Sequence, residues 1–373
     1  MSATPILDLW QDPPSPRASK WAWMIGLAVG AGVLFVPASF SDSLPGFNPV
    51  VWMFWFYIAI AIHELGHLAA GKMAGMAPGL LSIGGFVLTK SGDHWNFRFD
   101  RRQIFGGMAG LLPDRGDFRV AAFAWMVATG PIASVLLALA CWTAYVRFGS
   151  GTWDWIGSAC WASMVGLLSL IPMSSGLHKS DAARLWMLLK HPGAARAWMA
   201  AASVGTDNAK GVRPREWDPE MVEQMLAEVP DGSAKIGPEL MAYYRRLDER
   251  NEPAAREHLE NALAASAKSG KAVRQALFLE AAEVNALMTG NATKARTWRD
   301  RALRLRKPES IACVDGAIAM CEGRYDDAIR DIAAARAFMT KRKLDSGLAR
   351  FAHERLNDRE RRCEEAMHAT AVS

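Results

Sequence analysis

The chain has 373 residues, 51% of them hydrophobic, and a formal net charge of +5. That length accommodates two or three domains, and so modest a charge, with no RNA- or DNA-binding motif, excludes nucleic acid as the expected partner. Long apolar runs and most of the 15 tryptophans fall in the first half, while the second half is charged and alanine-rich, the pattern of a membrane part followed by a soluble part.

Residues 1–20 form a proline-rich flexible tail without the features of a cleavable signal peptide. Trp21 to Phe40 is apolar over about 20 residues and predicts a first membrane span. A polar turn follows, and Pro49 to Met76 is a second span. From Ala77 to Arg119 the pattern changes to a partial apolar–polar alternation, broken at Ser91-Gly92-Asp93, which predicts a β-hairpin. The glycine-rich GGMAGLLPDRGD after it reads as a loop on the membrane surface. Val120 to Val146 and Trp153 to Met173 are the third and fourth predicted spans, and SSGLHKSDAARLWMLLKH leads into a short amphipathic helix.

Lysines and arginines concentrate between residues 77 and 119 and after Pro172. The positive-inside rule therefore places the amino terminus, the hairpin and the carboxyl half on the cytoplasmic side. The expected protein is a multi-pass component of a bacterial inner membrane with both termini cytoplasmic. The five cysteines form no CxxC pair and read as reduced thiols.

Residues 193–236, punctuated by Pro214, Pro219 and Pro230, read as a connector. Residues 237–373 are helical with short turns. Aligning three turns places Ala255, Ala295 and Ala328 at equivalent positions, 40 and then 33 residues apart. That period resembles tetratricopeptide repeats, with a plain helical bundle as the alternative. The expected fold is thus mainly α: a membrane bundle of about four spans, residues 21–192, with a small β-hairpin insertion, followed by a soluble helical repeat domain that binds a peptide or protein.

The second span carries His63, Glu64 and His67 in HELGH. Histidines at this spacing lie on one helix face and can share one Zn²⁺, with Glu64 placed to take a proton from water. Ionisable groups inside a span are costly and are read as functional. A catalytic zinc takes a third protein ligand. The polar candidates are His94, His178 and Asp181, while Asp93 and Asp154 read as turn residues. Position alone leaves Asp181 either a ligand or, with Ser180, a helix cap.

HELGH in one span, Gly130-Pro131-Ile132-Ala133-Ser134 in a later one and IPMSSGLHKSDAARL after the next together resemble the site-2 protease family of intramembrane zinc metalloproteases, over residues 50–190. The resemblance implies a core of three spans and a zinc ion held by His63, His67 and Asp181, with Glu64 as catalytic base. It also implies Ser134 as a substrate or oxyanion contact, with packing in a tight helix crossing as the alternative. Ser134 stands where the family often has Asn, Ala182 follows Asp181 in place of Gly, and Leu168-Ser169-Leu170-Ile171 lacks an Asn often found before the proline. The function expected is cleavage of a membrane-anchored protein within the bilayer. The alternative is a membrane-tethered scaffold with a structural or inactive zinc site.

Overall fold

A computed structural model of the chain describes residues 49–91, 94–101, 104–113, 120–149, 155–172, 174–175, 178–229, 231–305, 311–342 and 344–372. The tail, the first expected span and the turn residues Asp93 and Asp154 lie outside these. Among the described residues, two helices are long and apolar enough to cross a membrane. They are α1 (Pro49–Met73) and α2 (Val120–Phe148). The expected fourth span is a shorter apolar helix, α3 (Trp155–Ser169), of 15 residues. At 1.5 Å per residue it rises about 22 Å, less than the ~30 Å hydrocarbon layer.

Helix α1 packs on two sides, and its sequence periodicity explains how. Tyr57 meets Gly84, Ile60 and Glu64 meet Gly107, and Gly71 meets Leu111. These positions recur at helical spacing and form one stripe, which faces a β-sheet. Ala59, His63, Gly66, His67 and Ala70 form a neighbouring stripe. There Gly66 lies against the Thr129 carbonyl and Ala133 of α2. The buried face of α2 repeats the same logic through Phe123, Met126, Val127, Gly130, Pro131, Ser134 and Cys141. Trp161 of α3 closes the group against Trp52 and Phe56, with ring centroids 6.1 Å and 4.8 Å apart.

The expected hairpin is larger than the alternation predicts. It is a four-stranded antiparallel sheet of β1 (Met76–Ile83), β2 (Phe86–Ser91), β3 (His94–Phe99) and β4 (Gly107–Pro113), in the order β3-β2-β1-β4. Gly84 and Gly85 turn β1 into β2 with φ of 57° and 88°, the left-handed pair that a two-residue hairpin turn requires. The stretch read as a glycine-rich surface loop is strand β4, paired with β1 from Met76↔Pro113 to Ile83↔Gly107. Its glycines mark close approach and not a turn. Register pairs Phe86 with Phe99 and Leu88 with Phe97 on one face of β2 and β3. Phe86, Trp95, Phe97 and Phe99 are exposed there, an apolar surface suited to lipid.

After two short strands, β5 (Ser174–Ser175) and β6 (His178–Lys179), comes helix α4 (Asp181–Lys190). The stretch read as a connector holds two helices, α5 (Pro192–Ala209) and α6 (Pro219–Glu228). Trp198 of α5 packs edge-on against Phe123 of α2 at 4.8 Å, so this segment is joined to the membrane part by packed side chains.

Three helical hairpins follow: α7 (Ile236–Asp248) with α8 (Glu252–Ala265), α9 (Lys271–Leu287) with α10 (Ala292–Leu305), and α11 (Ala312–Cys321) with α12 (Tyr325–Lys341). Ala255, Ala295 and Ala328 have no exposed surface. Each lies at the same offset from a residue with positive φ, namely Arg250, Gly290 or Gly323. A longer helix, α13 (Gly347–Val372), completes the chain.

Candidate metal centre

His63 and His67 project from the α2-facing stripe of α1, and both are buried. Asp181 reaches them from the first residue of α4. Ser180, one residue earlier, is the helix cap: its hydroxyl accepts the Ala183 N–H and donates to the Ile171 carbonyl at 2.7 Å. With the cap supplied by Ser180, the Asp181 carboxylate turns inward. Its Oδ2 lies 3.1 Å from His63 Nε2 and 3.5 Å from His67 Nε2. Burial raises the Asp181 carboxyl, and hydrogen bonds from His63 and His67 more than offset that, holding it below the ordinary carboxylate range.

The outer nitrogens of both rings are engaged. His67 Nδ1 donates to the Met126 carbonyl at 2.8 Å, which orients the ring with Nε2 turned toward Asp181. His63 Nδ1 is 3.0 Å from Ser134 Oγ. Ser134 is fully buried, between His63 and Gly166 of α3, where a Cβ on the glycine would lie 3.0 Å from the serine Cβ. Gly130 stands against the two inner nitrogens. A Cβ there would lie 2.3 Å from His67 Nε2 and 2.9 Å from His63 Nε2.

The donor set fits a zinc ion. One atom from each of His63, His67 and Asp181 lies within 4.8 Å of the others. Zinc bonds of about 2.0–2.2 Å separate the donors of a tetrahedral site by about 3.4 Å, close to the 3.1 Å and 3.5 Å found here. Two imidazoles and one carboxylate leave the fourth position for water or substrate. Glu64 is buried beside this group on the sheet-facing stripe, and a Cβ at Gly107 of β4 would lie 2.5 Å from its Oε1.

The sequence profile of peptidase family M50 matches residues 51–330. The chain belongs to this family. It is the site-2 protease family that the three motifs resemble. As an M50 member the protein is a membrane metallopeptidase, and the family's metal is zinc. No curated protein and no solved structure matches the chain. The M50 match runs past the membrane part and ends within α12, so it covers the first two helical hairpins and part of the third.

The five residues singled out in the sequence, His63, Glu64, His67, Ser134 and Asp181, meet in one buried region. His94, exposed at the start of β3, is outside it. Sequence reasoning missed the Met126 carbonyl, since a main-chain acceptor leaves no residue signature. The contact of Gly130 with the two imidazoles likewise has no signal in the motif that contains it.

Proposed function

We propose that the protein is an intramembrane zinc endopeptidase that cleaves a membrane-anchored protein. The observation that carries this reading is the convergence of His63 Nε2, His67 Nε2 and an Asp181 carboxylate oxygen within 4.8 Å, in a buried group beside Glu64. Bound there, zinc supplies Lewis acidity to a water and to the scissile carbonyl. Glu64 accepts the proton of the attacking water and returns it to the leaving amine. The Met126 carbonyl and Ser134 hold the two rings so that their Nε2 atoms face the metal position.

The substrate must be extended at the cut, because a helix hides its carbonyls in internal hydrogen bonds. Strand β4 is a sheet edge and begins beside Glu64. An unwound substrate segment would add to that edge as a further strand, with its scissile carbonyl beside Glu64. The helical hairpins, read as a tetratricopeptide-like array on the cytoplasmic side, recruit or gate the substrate through a peptide or protein contact.

Glu64→Gln tests the reading. The variant should bind one zinc per chain like the wild type, and cleavage of a co-expressed membrane-anchored substrate should fall by at least about 10²-fold. Full cleavage by that variant would refute the assignment.

A further inference from the structure

The helical domain contains a cavity of about 410 Å³ between α9, α11, α12 and α13. Its walls are largely apolar, with Leu279, Val314, Phe338, Met339 and Leu356 among them. Polar groups collect within it: Tyr244, Glu280, Glu283, Arg355 and Arg359. A volume of several hundred Å³, apolar walls and a few convergent polar groups are the properties of small-molecule sites. None of these residues belongs to the metal centre.

The cluster is unevenly paired. Glu280 accepts from both Tyr243 and Tyr244, at 3.0 Å and 2.7 Å. The two arginines share a single oxygen of Glu283: Arg355 Nη2 lies 2.5 Å from Oε1, and Arg359 Nη2 donates to the same atom. Arg359 spends a further donor on the Cys313 carbonyl at 3.3 Å. Arg355 ion-pairs with Glu283, lies within electrostatic reach of Glu280 and stacks on Phe351 at 5.4 Å. A guanidinium carries five donors in a planar fork, so most of those on Arg355 are left for something in the cavity. The charges balance, two carboxylates against two guanidiniums, but the donors of Arg355 outnumber the acceptors that reach them.

We propose that this cavity binds a small amphipathic carboxylate, its aliphatic body against the apolar wall and its carboxylate on the open edge of Arg355. Arginine suits this role because its fork matches the two oxygens of a carboxylate. The carboxylate could belong to a medium-chain fatty acid or to the terminus of a polypeptide ending in an aliphatic residue. Both present the same chemistry.

The test uses the full-length protein in lipid nanodiscs, with empty nanodiscs as blank and octanoate labelled at its carboxyl carbon as NMR probe. Saturable binding of one octanoate per chain is expected, with octanol at least about tenfold weaker because it lacks the charge, and with no binding of acetate. Arg355→Gln should weaken octanoate by about tenfold and leave octanol unchanged, while Arg355→Lys recovers part of the loss. Ala352→Phe, which fills the cavity from α13, should abolish both and covers the case in which an arginine variant fails to fold. An acetylated dipeptide ending in leucine identifies the carboxylate source: tighter binding than octanoate assigns a polypeptide terminus, weaker binding a fatty acid, and either supports the site. No saturable octanoate above the blank, equal affinity for octanoate and octanol, or equal octanoate affinity in wild type and Arg355→Gln would overturn the proposal.

Discussion

Ser134 Oγ lies 3.0 Å from His63 Nδ1, the ring nitrogen that faces away from Asp181. A hydroxyl in that place orients the imidazole and fixes which nitrogen is free for the metal. Ser134→Ala should therefore reduce zinc affinity by about 10–100-fold, measured by competition with a chelator. A serine that contacts substrate would behave differently, since its loss would raise KM and leave zinc affinity unchanged. Its complete burial between His63 and Gly166 favours the first outcome.

Gly130 yields a sharper metal prediction. A methyl there would sit 2.3 Å from His67 Nε2 and 2.9 Å from His63 Nε2, in the space where those nitrogens meet the ion. Gly130→Ala should leave the purified protein with little or no zinc. Gly205→Ala is the matched control. Gly205 lies within α5 with nothing inside 4 Å of the added carbon, so that helix should gain about 0.5–1 kcal/mol and zinc content should not change.

Gly107 separates chemistry from metal binding. A methyl added there would lie 2.5 Å from Glu64 Oε1 and 2.6 Å from Ile60 Cγ2. It does not reach the histidine nitrogens, so Gly107→Ala should retain zinc. The displaced carboxylate should lower cleavage by about 10²-fold, the cost of misplacing a catalytic group by about 1 Å. Zinc loss in this variant would mean that β4 supports the metal group as a whole.

These predictions draw on features that differ in how far they are readable from the chain alone. His63, Glu64 and His67 form a local pattern and need only helical geometry to be recognised. Asp181 needs more, because Ser180 and Asp181 are both ordinary helix-start residues. That Ser180 takes the cap and frees Asp181 is decided by the turn itself. Residues 63 and 134 meet only when two helices pack, and no spacing announces that. Strand β4 is not legible in the sequence because glycines usually punctuate turns, whereas Gly107 and Gly110 are there so that β4 can lie close to Glu64 and Leu80. The Gly84-Gly85 pair is itself a two-residue hairpin signal, which the alternation around Ser91-Gly92-Asp93 masks. Burial of Ala255, Ala295 and Ala328 follows from the turn spacing, which survives the weak similarity of the surrounding residues.

The charge cluster of the helical domain supplies a pH test. Burial pushes the Glu280 carboxyl above its ordinary range, and the neighbouring charge of Glu283 adds to this. Tyr243, Tyr244 and Arg355 face the same group and act in the opposite sense. A carboxyl raised in the folded state holds its proton more tightly there than in the unfolded chain. Its contribution is greatest below the ordinary glutamate value of about 4.3 and is lost as pH rises through the folded value. Glutamine at this position keeps a hydrogen-bonding partner for the tyrosines and never ionises. Glu280→Gln should therefore gain stability relative to wild type as pH rises above about 4.3 and through the raised folded value. Amide hydrogen exchange across residues 271–287 of the full chain reads this directly. A difference between variant and wild type that stays constant with pH would mean that the Glu280 carboxyl keeps its ordinary affinity for protons.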